Sequence, residues 1–393
     1  MLFLIFLSIQ IIVNSKEMNI CVLSDGYPSK NNYRGIFVVK LCEEFADLGH
    51  SVTIIAPQSL TKSLIRSESL NRKNFTHKTK KGNNIKVIQP YTITFSNWKI
   101  FQKLSYLIQK KAVSKTIKHL EELPDVFYGH FWHNGFTLYD IISSTNKPLF
   151  VASGESTINF HDNIPINKRK KFVNYVKGVI CVSTKNKMES IEKGLAIAEK
   201  CHVFPNAVDD TIFYKKDKKE CRRKLGFPID SFIVAFCGSF DEKKGSLRLS
   251  DAIEKLNDND IKTIFIGSGK EIPNCNGILF CGFLAHAEIV DYLNCADVFV
   301  LPTLAEGSSN AIAEAIACGL PVISSDRLFN YDILNETNSI LIDPTNIDEI
   351  AKAIKRVKDN KILRDKLEKG AEISSKNISL TARAKKIINI IEK

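Results

Sequence analysis

The stretch "DVFVLPTLAEGSSNAIAEAIACGLPVISS" (297–325) contains a strand, a turn, a helix and a second strand in succession. The apolar run "DVFVLP" predicts a buried strand, and Ser309 or Asn310 can cap a helix that continues to about Cys318. Gly319, with Pro321 two positions beyond it, is typical of a helix end, and "PVISS" predicts the next strand. Two strands joined by a crossover helix form a parallel βαβ unit.

The same alternation of short apolar runs with helical patterns extends through the chain from Met18. In the first half the predicted strands are "NICVLS" (19–24), "SVTIIAP" (51–57), "KVIQP" (86–90), "DVFYGHF" (125–131), "PLFVAS" (148–153), "GVICVS" (178–183) and "CHVFPN" (201–206). In the second half they are "FIVAFCG" (232–238), "KTIFIG" (262–267), "GILFCG" (277–282), "DVFVLP" (297–302), "PVISS" (321–325) and "SILID" (339–343). The sequence therefore predicts an α/β protein of two doubly wound, Rossmann-like domains that face each other across a cleft.

The length of 393 residues exceeds what one hydrophobic core usually supports. A polar, charged connection near residues 206–216 separates the two series of strands. We predict a first domain over residues 18–206, a second over 207–379 and a closing helix over 380–393.

Residues 1–17 begin with the apolar run "MLFLIFLSIQIIV". This run is short for a membrane span, and it lacks the basic n-region of a signal peptide. We expect a membrane-surface anchor or a start codon placed upstream of the true one, rather than a cleaved signal peptide. The ten cysteines include no C-x-x-C pair, and several lie in apolar runs. They indicate buried thiols in a reducing compartment.

The net charge of +12 suits a polyanion, an anionic membrane or a phosphorylated substrate. The basic runs at 73–84 and 167–178 lack aromatic residues regularly interleaved with the charges. This pattern favours a solvated or membrane-facing surface over nucleic-acid binding.

Two glutamates in the opening stretch are the strongest candidates for chemistry. The N–H groups at the start of the predicted helix can bind an anion, with Glu306 just outside that end and Glu314 about one turn inside it. Carboxylates can bind the adjacent hydroxyls of a sugar. Glu314 could instead be a solvated helix residue, but its neighbours "AIAEAIACG" are nearly all apolar or small, and a buried carboxylate without a partner is costly.

Common phosphate and metal signatures are incomplete elsewhere in the chain. "GSGKEI" (267–272) has Ile272 where a dinucleotide fingerprint needs its third glycine, and "GSFDEKKGS" (238–246) has Lys243 where a P-loop needs glycine. The Asp-x-Asp of "DND" (258–260) falls between a predicted helix and strand, at the wrong end of the sheet for a metal site. No metal or other cofactor is expected.

The residues resemble the retaining glycosyltransferases of GT-B fold and family four type. "EGSSNAIAE" fits the Glu-x7-Glu element of that family, and "EAIACGLPVISS" continues it. Further similar segments are "YRGIFVVKLCEEFADLGHSVTIIAP" (33–57), "PDVFYGHFWHNG" (124–135), "VFPNAVDDTIF" (203–213), "AFCGSFDEKKG" (235–245), "FIGSG" (265–269) and "GILFCGFLAHAEIVDYLNCADVFVLPTLAEG" (277–307). The resemblance implies that the first domain lies on the acceptor side and that the second binds a nucleotide sugar.

The resemblance also implies roles for particular residues. Glu306 would contact the donor sugar, Glu314 the ribose, and Lys244 the diphosphate. The implied donor-binding residues are Gly35, Gly238, Ser239, Lys244, Gly282, Phe283, Glu306, Gly307, Ser308, Ser309, Asn310 and Glu314. The candidate catalytic residues are Glu306, Lys244, His130 and His133. Gly35 could equally be a glycine that only starts a helix.

Two departures from the family pattern affect this assignment. Ser239 stands where the family commonly places an arginine beside the diphosphate, so that Arg34 or Arg327 is a conceivable substitute. Many members of the family also carry a histidine after the fifth strand of the first domain. In this chain the corresponding segment is "VASGEST" (151–157), and Ser153 or Gly154 falls at the histidine position. Glu155 in the same segment is a further candidate for contact with the acceptor. His130 and His133, one strand earlier, are alternatively packing or surface residues.

The expected activity is metal-independent transfer of a hexose-like sugar, with retention, from a nucleoside diphosphate donor to a hydroxyl of a glycan or lipid-linked acceptor. Such a reaction fits synthesis of cell-surface polysaccharide or glycolipid at the cytoplasmic face of the membrane. The alternatives are a GT-B nucleotide-sugar epimerase or hydrolase, a non-catalytic sugar-nucleotide-binding protein, and a protein that binds anionic surfaces through its basic face and apolar N-terminus alone.

Overall fold

The computed structural model describes residues 17–29, 34–66, 69–95, 99–159 and 164–393. The apolar run at the N-terminus lies outside the described residues, and so does Tyr33 of "YRGIF". Among the described residues, no helix combines the length and the apolar character needed to cross a membrane.

The first domain is built on the alternation of strands and helices that the sequence predicts. Its strands are β1 (Asn19–Leu23), β2 (Ser51–Ile55), β3 (Gln58–Ser59), β4 (Asn74–Lys78), β5 (Asn84–Ile88), β6 (Tyr91–Thr92), β7 (Val126–His130), β8 (Leu149–Ser153), β9 (Gly178–Cys181) and β10 (Cys201–Val203). Its helices are α1 (Ile36–Asp47), α2 (Leu60–Arg66), α3 (Lys99–Lys118), α4 (Trp132–Ile142), α5 (Ile166–Tyr175) and α6 (Thr184–Glu192).

Eight of these strands form one sheet in the order β10-β9-β8-β7-β1-β2-β5-β4. All neighbouring pairs are parallel except β4 and β5, which pair antiparallel, while β3 and β6 form a separate parallel pair. The sequence prediction missed β3, β4 and β6. Residues 73–84, predicted as a solvated or membrane-facing basic surface, contain β4 and its turn, in which Phe75 and His77 alternate with exposed residues as on a half-buried edge strand.

The second domain repeats the parallel arrangement. Its strands are β11 (Phe232–Cys237), β12 (Ile261–Ile266), β13 (Ile278–Gly282), β14 (Val298–Leu301), β15 (Val322–Ser325) and β16 (Ser339–Ile342). Its helices are α7 (Lys218–Leu225), α8 (Ser246–Leu256), α9 (Ile289–Cys295), α10 (Asn310–Ala317), α11 (Ile347–Asp359) and α12 (Lys361–Ser375). The sheet order is β13-β12-β11-β14-β15-β16, entirely parallel, so the prediction of a second parallel sheet is confirmed.

Burial explains why these strands are almost continuously apolar. Helices cover both faces of each sheet, and residues such as Val22 on β1 and Val234 on β11 are almost fully buried. Two apolar clusters cover the two faces of the first sheet, and one large cluster fills the second domain. Cys281 is an exception to the prediction of buried thiols, because it is exposed on the edge strand β13.

The last helix, α13 (Leu380–Ile391), returns to the first domain. Ala384, Ile387 and Ile388 pack into the same cluster as α1, and the hydroxyl of Thr381 donates a hydrogen bond of 2.7 Å to Glu44. The chain therefore crosses between the domains twice, first after β10 and again before α13.

The carboxyl ends of the strands in the two sheets contribute loops to one cleft. Among the parallel strands of each sheet the chain order reverses once, between β7 and β1 in the first and between β11 and β14 in the second. Loops at such a reversal diverge to opposite faces of the sheet and leave a crevice, which is where open α/β sheets bind ligands. These two positions therefore locate the candidate site.

Close packing of α12 supports the helix that begins at this crevice. α12 packs against α10, and a Cβ atom added to Gly370 would collide with the carbonyl oxygen of Thr337. We expect Gly370→Ala to lower the free energy of unfolding by about 1–3 kcal/mol, because backbone atoms must move to admit the methyl group. This loss should outweigh the gain in helix propensity, which is about 1 kcal/mol.

Denaturant unfolding followed by circular dichroism measures the effect. The control is Lys369→Ala on the adjacent, exposed position of the same helix, which should stay within about 0.5 kcal/mol of the parent. An unchanged or raised midpoint for Gly370→Ala would contradict the packing argument.

Candidate active site

The loop after β14 places Glu306 in a buried position at the crevice of the second domain. Thr303 begins this loop, and its hydroxyl donates a hydrogen bond of 3.1 Å to Oε1 of Glu306. The hydroxyl of Thr303 also lies 3.2 Å from the carbonyl oxygen of Lys243, in the loop after β11. The two loops at the reversal of strand order are thus bonded to each other.

Lys244 completes this junction with a charged contact. Its Nζ donates a hydrogen bond to Oε1 of Glu306, and both side chains are largely buried. Its backbone N–H donates to Oδ1 of Asp241 at 2.9 Å, and Asp241 accepts a second bond of 2.6 Å from the hydroxyl of Ser239. The polar loop therefore fixes the lysine backbone and directs its ammonium group at the glutamate. Gly238 directly follows β11 at the base of this loop.

The amino end of α10 faces the first domain. Ser309 caps the helix, since its hydroxyl accepts a hydrogen bond of 3.4 Å from the N–H of Ile312. The backbone N–H of Asn206 donates to the hydroxyl of Ser308 at 3.2 Å, and the Asn206 side chain donates to the Ser308 carbonyl at 2.9 Å. A Cβ at Gly307 would collide with the carbonyl oxygen of Gly154, so a glycine is required where the two domains meet. Asn310, the first residue of the helix, is exposed.

Glu314 is buried one turn into α10 and has a partner that the sequence analysis did not identify. Its Oε1 lies 2.9 Å from Nε2 of His286, in the loop after β13, and the ring of His286 packs edge-on against Phe213. The hydrogen bond to Glu314 is the main cause of a raised pKa for His286, which the nearby Asp209 raises further and Lys40 opposes. The same loop begins with Gly282 and the exposed Phe283.

The first domain contributes a second polar cluster, at its own reversal of strand order. His133, at the start of α4, donates a hydrogen bond from Nε2 to Oδ1 of Asp25 after β1, and Asn134 donates to the same oxygen at 2.6 Å. Burial by itself raises the pKa of Asp25, but the contacts with His133 and Asn134 outweigh it and lower that pKa. Burial lowers the pKa of His133, and its bond to Asp25 outweighs this effect and raises it.

His130 lies in a different environment from His133. It is buried at the end of β7, and neither ring nitrogen has a hydrogen-bond partner among the described residues. Burial lowers its pKa to about 3, with a smaller opposing effect from Asp25 and a further lowering by Arg383. The ring is therefore neutral near pH 7, and its contacts are with the rings of Phe37 and Phe131.

Glu155 bridges the β8 loop and α4. Its carboxylate accepts hydrogen bonds from the N–H groups of Trp132 at 2.9 Å and Gly154 at 3.0 Å. Burial raises the pKa of Glu155, although these backbone bonds oppose the rise. Since Gly154 also touches Gly307, Glu155 lies beside the amino end of α10.

Gly35 adopts a conformation that excludes most other residues. Its φ of 81° is left-handed, it precedes α1, and a Cβ there would collide with the carbonyl oxygen of Gly26. Both predicted readings of Gly35 are compatible with this position, since it starts a helix and lies in the loop after β1.

The candidate cations that could replace an arginine at Ser239 lie apart from one another. Arg34 lines a pocket in the first domain together with Asp25 and Gly26. Arg327 follows β15, where its guanidinium lies 3.7 Å from Oδ1 of Asp343.

Asp258 of "DND" lies at the amino end of β12 and pairs with Lys358. In the described part of the chain, no three or more His, Cys, Asp or Glu side chains form a group that could hold a metal ion.

Comparison with known proteins now places the chain in a family. A family model described as "Glycosyltransferase Family 4" matches residues 35–211, and one described as "Glycosyl transferases group 1" matches residues 217–373. The two matches cover most of both domains and every site residue from Gly35 to Glu314. The chain belongs to these glycosyltransferases.

Similar proteins include two bacterial glycosyltransferases. The glycosyltransferase is 26% identical to TuaC of Bacillus subtilis, a putative teichuronic acid biosynthesis glycosyltransferase, over 88% of this chain and 90% of the relative. It is 30% identical to an α-1,3-galactosyltransferase of Escherichia coli over 47% of this chain and 52% of the relative.

Solved structures share the GT-B fold. A sucrose-phosphate synthase of Thermosynechococcus elongatus has a TM-score of 0.74 and 17% identity, covering 95% of this chain and 98% of its own. HepE of Anabaena, in complex with UDP and glucose, has a TM-score of 0.68 and 18% identity, covering 95% and 99%. These similarities establish the two-domain architecture of the glycosyltransferase.

The structure brings some of the predicted site residues of the glycosyltransferase together and separates others. Residues 306–310, Glu314, Gly238, Ser239 and Lys244 lie at one crevice of the second domain. Gly282 and Phe283 stand at the end of β13 and the start of the loop that carries His286, the partner of Glu314. Gly35, His130 and His133 belong to the first domain. Sequence reasoning missed Asp25, Asn206, His286 and Thr303. Asn206 and His286 fall within segments that carry the family resemblance, but nothing in their spacing indicated their partners.

The pairing of His286 with Glu314 predicts a pH dependence. Because its folded-state pKa is raised above the ordinary value of 6.5, the stability that the pair contributes is fully present below about pH 6.5 and is lost as the pH rises through the raised pKa. We expect an NMR titration of His286 to have its midpoint above 6.5 and Glu314→Gln to lower that midpoint.

His202 serves as the internal control for that titration. Its pKa is lowered, chiefly by burial and further by Lys187 and Lys393, and Glu314 is not among the causes. Its midpoint should therefore be the same in the parent and in Glu314→Gln. If the His286 midpoint does not respond to Glu314→Gln, the two side chains are not paired in solution.

Proposed function

We propose that the glycosyltransferase moves a sugar from a nucleoside diphosphate donor to a hydroxyl of a glycan or lipid-linked acceptor, with retention and without a metal ion. The observation that carries this proposal is that two buried carboxylates, Glu306 and Glu314, flank the α10 amino end and that Lys244 bonds to Glu306. Together they offer positive charge for a diphosphate and hydrogen-bond acceptors for the sugar on either side of it.

The charges at this site suit departure of the diphosphate. As the bond from the sugar C1 to the diphosphate oxygen breaks, its electron pair stays on the diphosphate. The Lys244 ammonium group and the N–H groups at the start of α10 would stabilise that growing negative charge more in the transition state than in the ground state. These residues would thereby provide leaving-group stabilisation without a divalent ion.

The two glutamates have separate roles in the proposal. Glu306, next to Lys244, would accept hydrogen bonds from the transferred sugar and orient it. Glu314 would accept from the ribose diol in place of His286, its present partner. No residue is assigned as a nucleophile. The acceptor hydroxyl would attack C1 from the side of the departing diphosphate, and its proton would pass to a diphosphate oxygen.

The first domain would hold the acceptor. Asp25, His133 and Glu155 lie at the carboxyl ends of its strands, and Gly154 touches Gly307 of the donor loop. Closure of the two domains would bring Gly35 and the acceptor onto the donor. His133 and Glu155 are therefore proposed to contact the acceptor, and the buried, neutral His130 to support this end of β7.

Relatives support the substrate classes. The E. coli relative is named for a UDP-galactose donor and a diphosphoundecaprenol-linked acceptor, and solved structures of HepE contain UDP and glucose. Another relative, from Acholeplasma laidlawii, is an α-monoglucosyldiacylglycerol synthase. We accordingly propose action at the cytoplasmic face of the membrane, in synthesis of a surface polysaccharide or glycolipid.

Release of nucleoside diphosphate tests the proposed activity. The protein is incubated with a panel of nucleotide sugars and lipid-linked acceptors, with and without EDTA. We expect release that requires an acceptor, survives EDTA and yields a product of retained anomeric configuration by NMR. Hydrolysis or epimerisation of the nucleotide sugar without acceptor would indicate a GT-B hydrolase or epimerase instead. Binding without turnover would indicate a non-catalytic sugar-nucleotide-binding protein.

Lys244 provides a sharper test of leaving-group stabilisation. We expect Lys244→Ala to lower kcat by roughly 100- to 1,000-fold, as is found when one group that stabilises a developing anion is removed. The matched control is Lys243→Ala, since Lys243 is the adjacent, exposed lysine of the same loop. Equal losses for the two variants in steady-state kinetics would rule out a specific role for Lys244.

A further inference from the structure

The positive charge of this protein is concentrated in one segment of the first domain. Residues 58–118 contain fourteen lysines and arginines and a single acidic residue, Glu68. The rest of the chain contains 41 basic and 42 acidic residues, out of totals of 55 and 43. The net charge of +12 therefore comes from this segment in sequence terms, although Lys80, Lys81, Lys86 and Lys110 pair with acidic residues outside it. The other ten basic residues of the segment suit a local partner of negative charge.

The same segment also exposes large apolar side chains. Leu64 and Ile65, adjacent on the short helix α2, are 84% and 82% exposed. Other exposed apolar residues of the segment are Leu60, Leu70, Tyr91, Ile93, Phe95, Leu104 and Leu107. Large aliphatic side chains that are clustered and exposed mark a surface that contacts a partner or a membrane.

Hydrogen bonds join these residues into one surface. The hydroxyl of Thr61 on α2 donates to the carbonyl oxygen of Thr94 at 2.6 Å, and the N–H of Phe95 donates to the hydroxyl of Ser105 on α3 at 2.9 Å. The start of α2, residues 91–95 and the first half of α3 are thus connected. We call this surface the α2–α3 rim.

The α2–α3 rim borders a polar pocket of about 220 Å³. On the rim side its lining includes Lys62, Ser63, Thr94 and Gln109, and on the inner side it includes Asp25 and His133. The inner side belongs to the crevice of the first domain, so a molecule in the pocket would lie between the rim and the cluster of Asp25 and His133. Hydroxyl, amide and charged groups of this kind suit a sugar or phosphate head group.

We propose that the α2–α3 rim docks on an anionic membrane and that the polar pocket takes the head group of an acceptor held in that membrane. The acceptor part of this inference rests on the proposed function. Leu64 and Ile65 enter the interface between head groups and acyl chains, while exposed lysines such as Lys103 and Lys111 contact anionic lipid.

Charge complementarity favours an anionic membrane, rather than a second copy of the chain, as the partner of the α2–α3 rim. A second copy of the chain would bring two segments of equal positive charge together, which electrostatic repulsion disfavours. α2 contains seven residues, so it can lie in the interface but cannot span the bilayer. The apolar side chains and the surrounding cations together have the composition typical of an interfacial binding surface.

Vesicle binding of the full chain tests the docking surface. We expect Leu64→Glu/Ile65→Glu to bind vesicles of equal parts phosphatidylglycerol and phosphatidylcholine about tenfold more weakly than the parent, since it removes two apolar groups and adds two negative charges. The matched control is Ile362→Glu, because Ile362 on α12 of the second domain is also 84% exposed. Equal binding by the double variant and the control would overturn the proposal.

A local measurement separates the rim from any contribution of the apolar N-terminal run. Leu64→Trp and Ile362→Trp each add one tryptophan to the two of the chain. Brominated lipids should quench the added fluorescence of Leu64→Trp and leave that of Ile362→Trp unchanged. Absence of extra quenching in Leu64→Trp would show that the rim does not enter the membrane, even if the chain binds vesicles by another segment.

Transfer assays distinguish a failure of this proposal from a failure of the proposed function. Leu64→Glu/Ile65→Glu should lose about tenfold of its activity on an acceptor embedded in vesicles and keep its activity on a short-chain, water-soluble analogue. Equal activity on the embedded acceptor would contradict the docking role while leaving the transferase intact. A dimer in sedimentation that the double variant abolishes, without vesicle binding by the parent, would assign the rim to a second copy instead.

Discussion

The buried ion pair between Lys244 and Glu306 is the contact on which the candidate site depends. It joins the loops after β11 and β14, which leave the second sheet at the one place where its strand order reverses. A buried pair of charges is retained at low cost only when other groups complete its hydrogen bonds. Thr303 bonds to the carboxylate, and Asp241 holds the lysine backbone. The site is thereby preorganised before any substrate binds.

The contact between the domains explains why the amino end of α10 points across the cleft. Gly307 lies against the carbonyl of Gly154, and Asn206 from the connection between the domains binds Ser308. These contacts fix the approach of the two domains at the loop that carries Glu306. They also place Glu155 beside that loop, so the polar clusters of the two sheets form one site. A positive helix end between two domains is a suitable place for a doubly charged substrate group.

The two domains divide the chemistry between them. The second domain supplies a compact set of charges that are partnered within it, as Glu306 is with Lys244 and Glu314 with His286. The first supplies a wider polar pocket beside an exposed, basic and apolar surface. This asymmetry is consistent with a small, charged donor on one side and a larger acceptor on the other.

The sequence by itself determined the two parallel sheets, the cap and extent of α10, and the segments that carry the family resemblance, because apolar periodicity and cap residues are local signals. It did not predict β4, whose half-buried alternation lies within a basic run, or the partners of His133, Glu314 and Ser308. Those partners are 108, 28 and 102 positions away in the chain. Only the tertiary structure decided these pairings, because they follow from which loops the sheet order brings together and not from the identity of neighbouring residues.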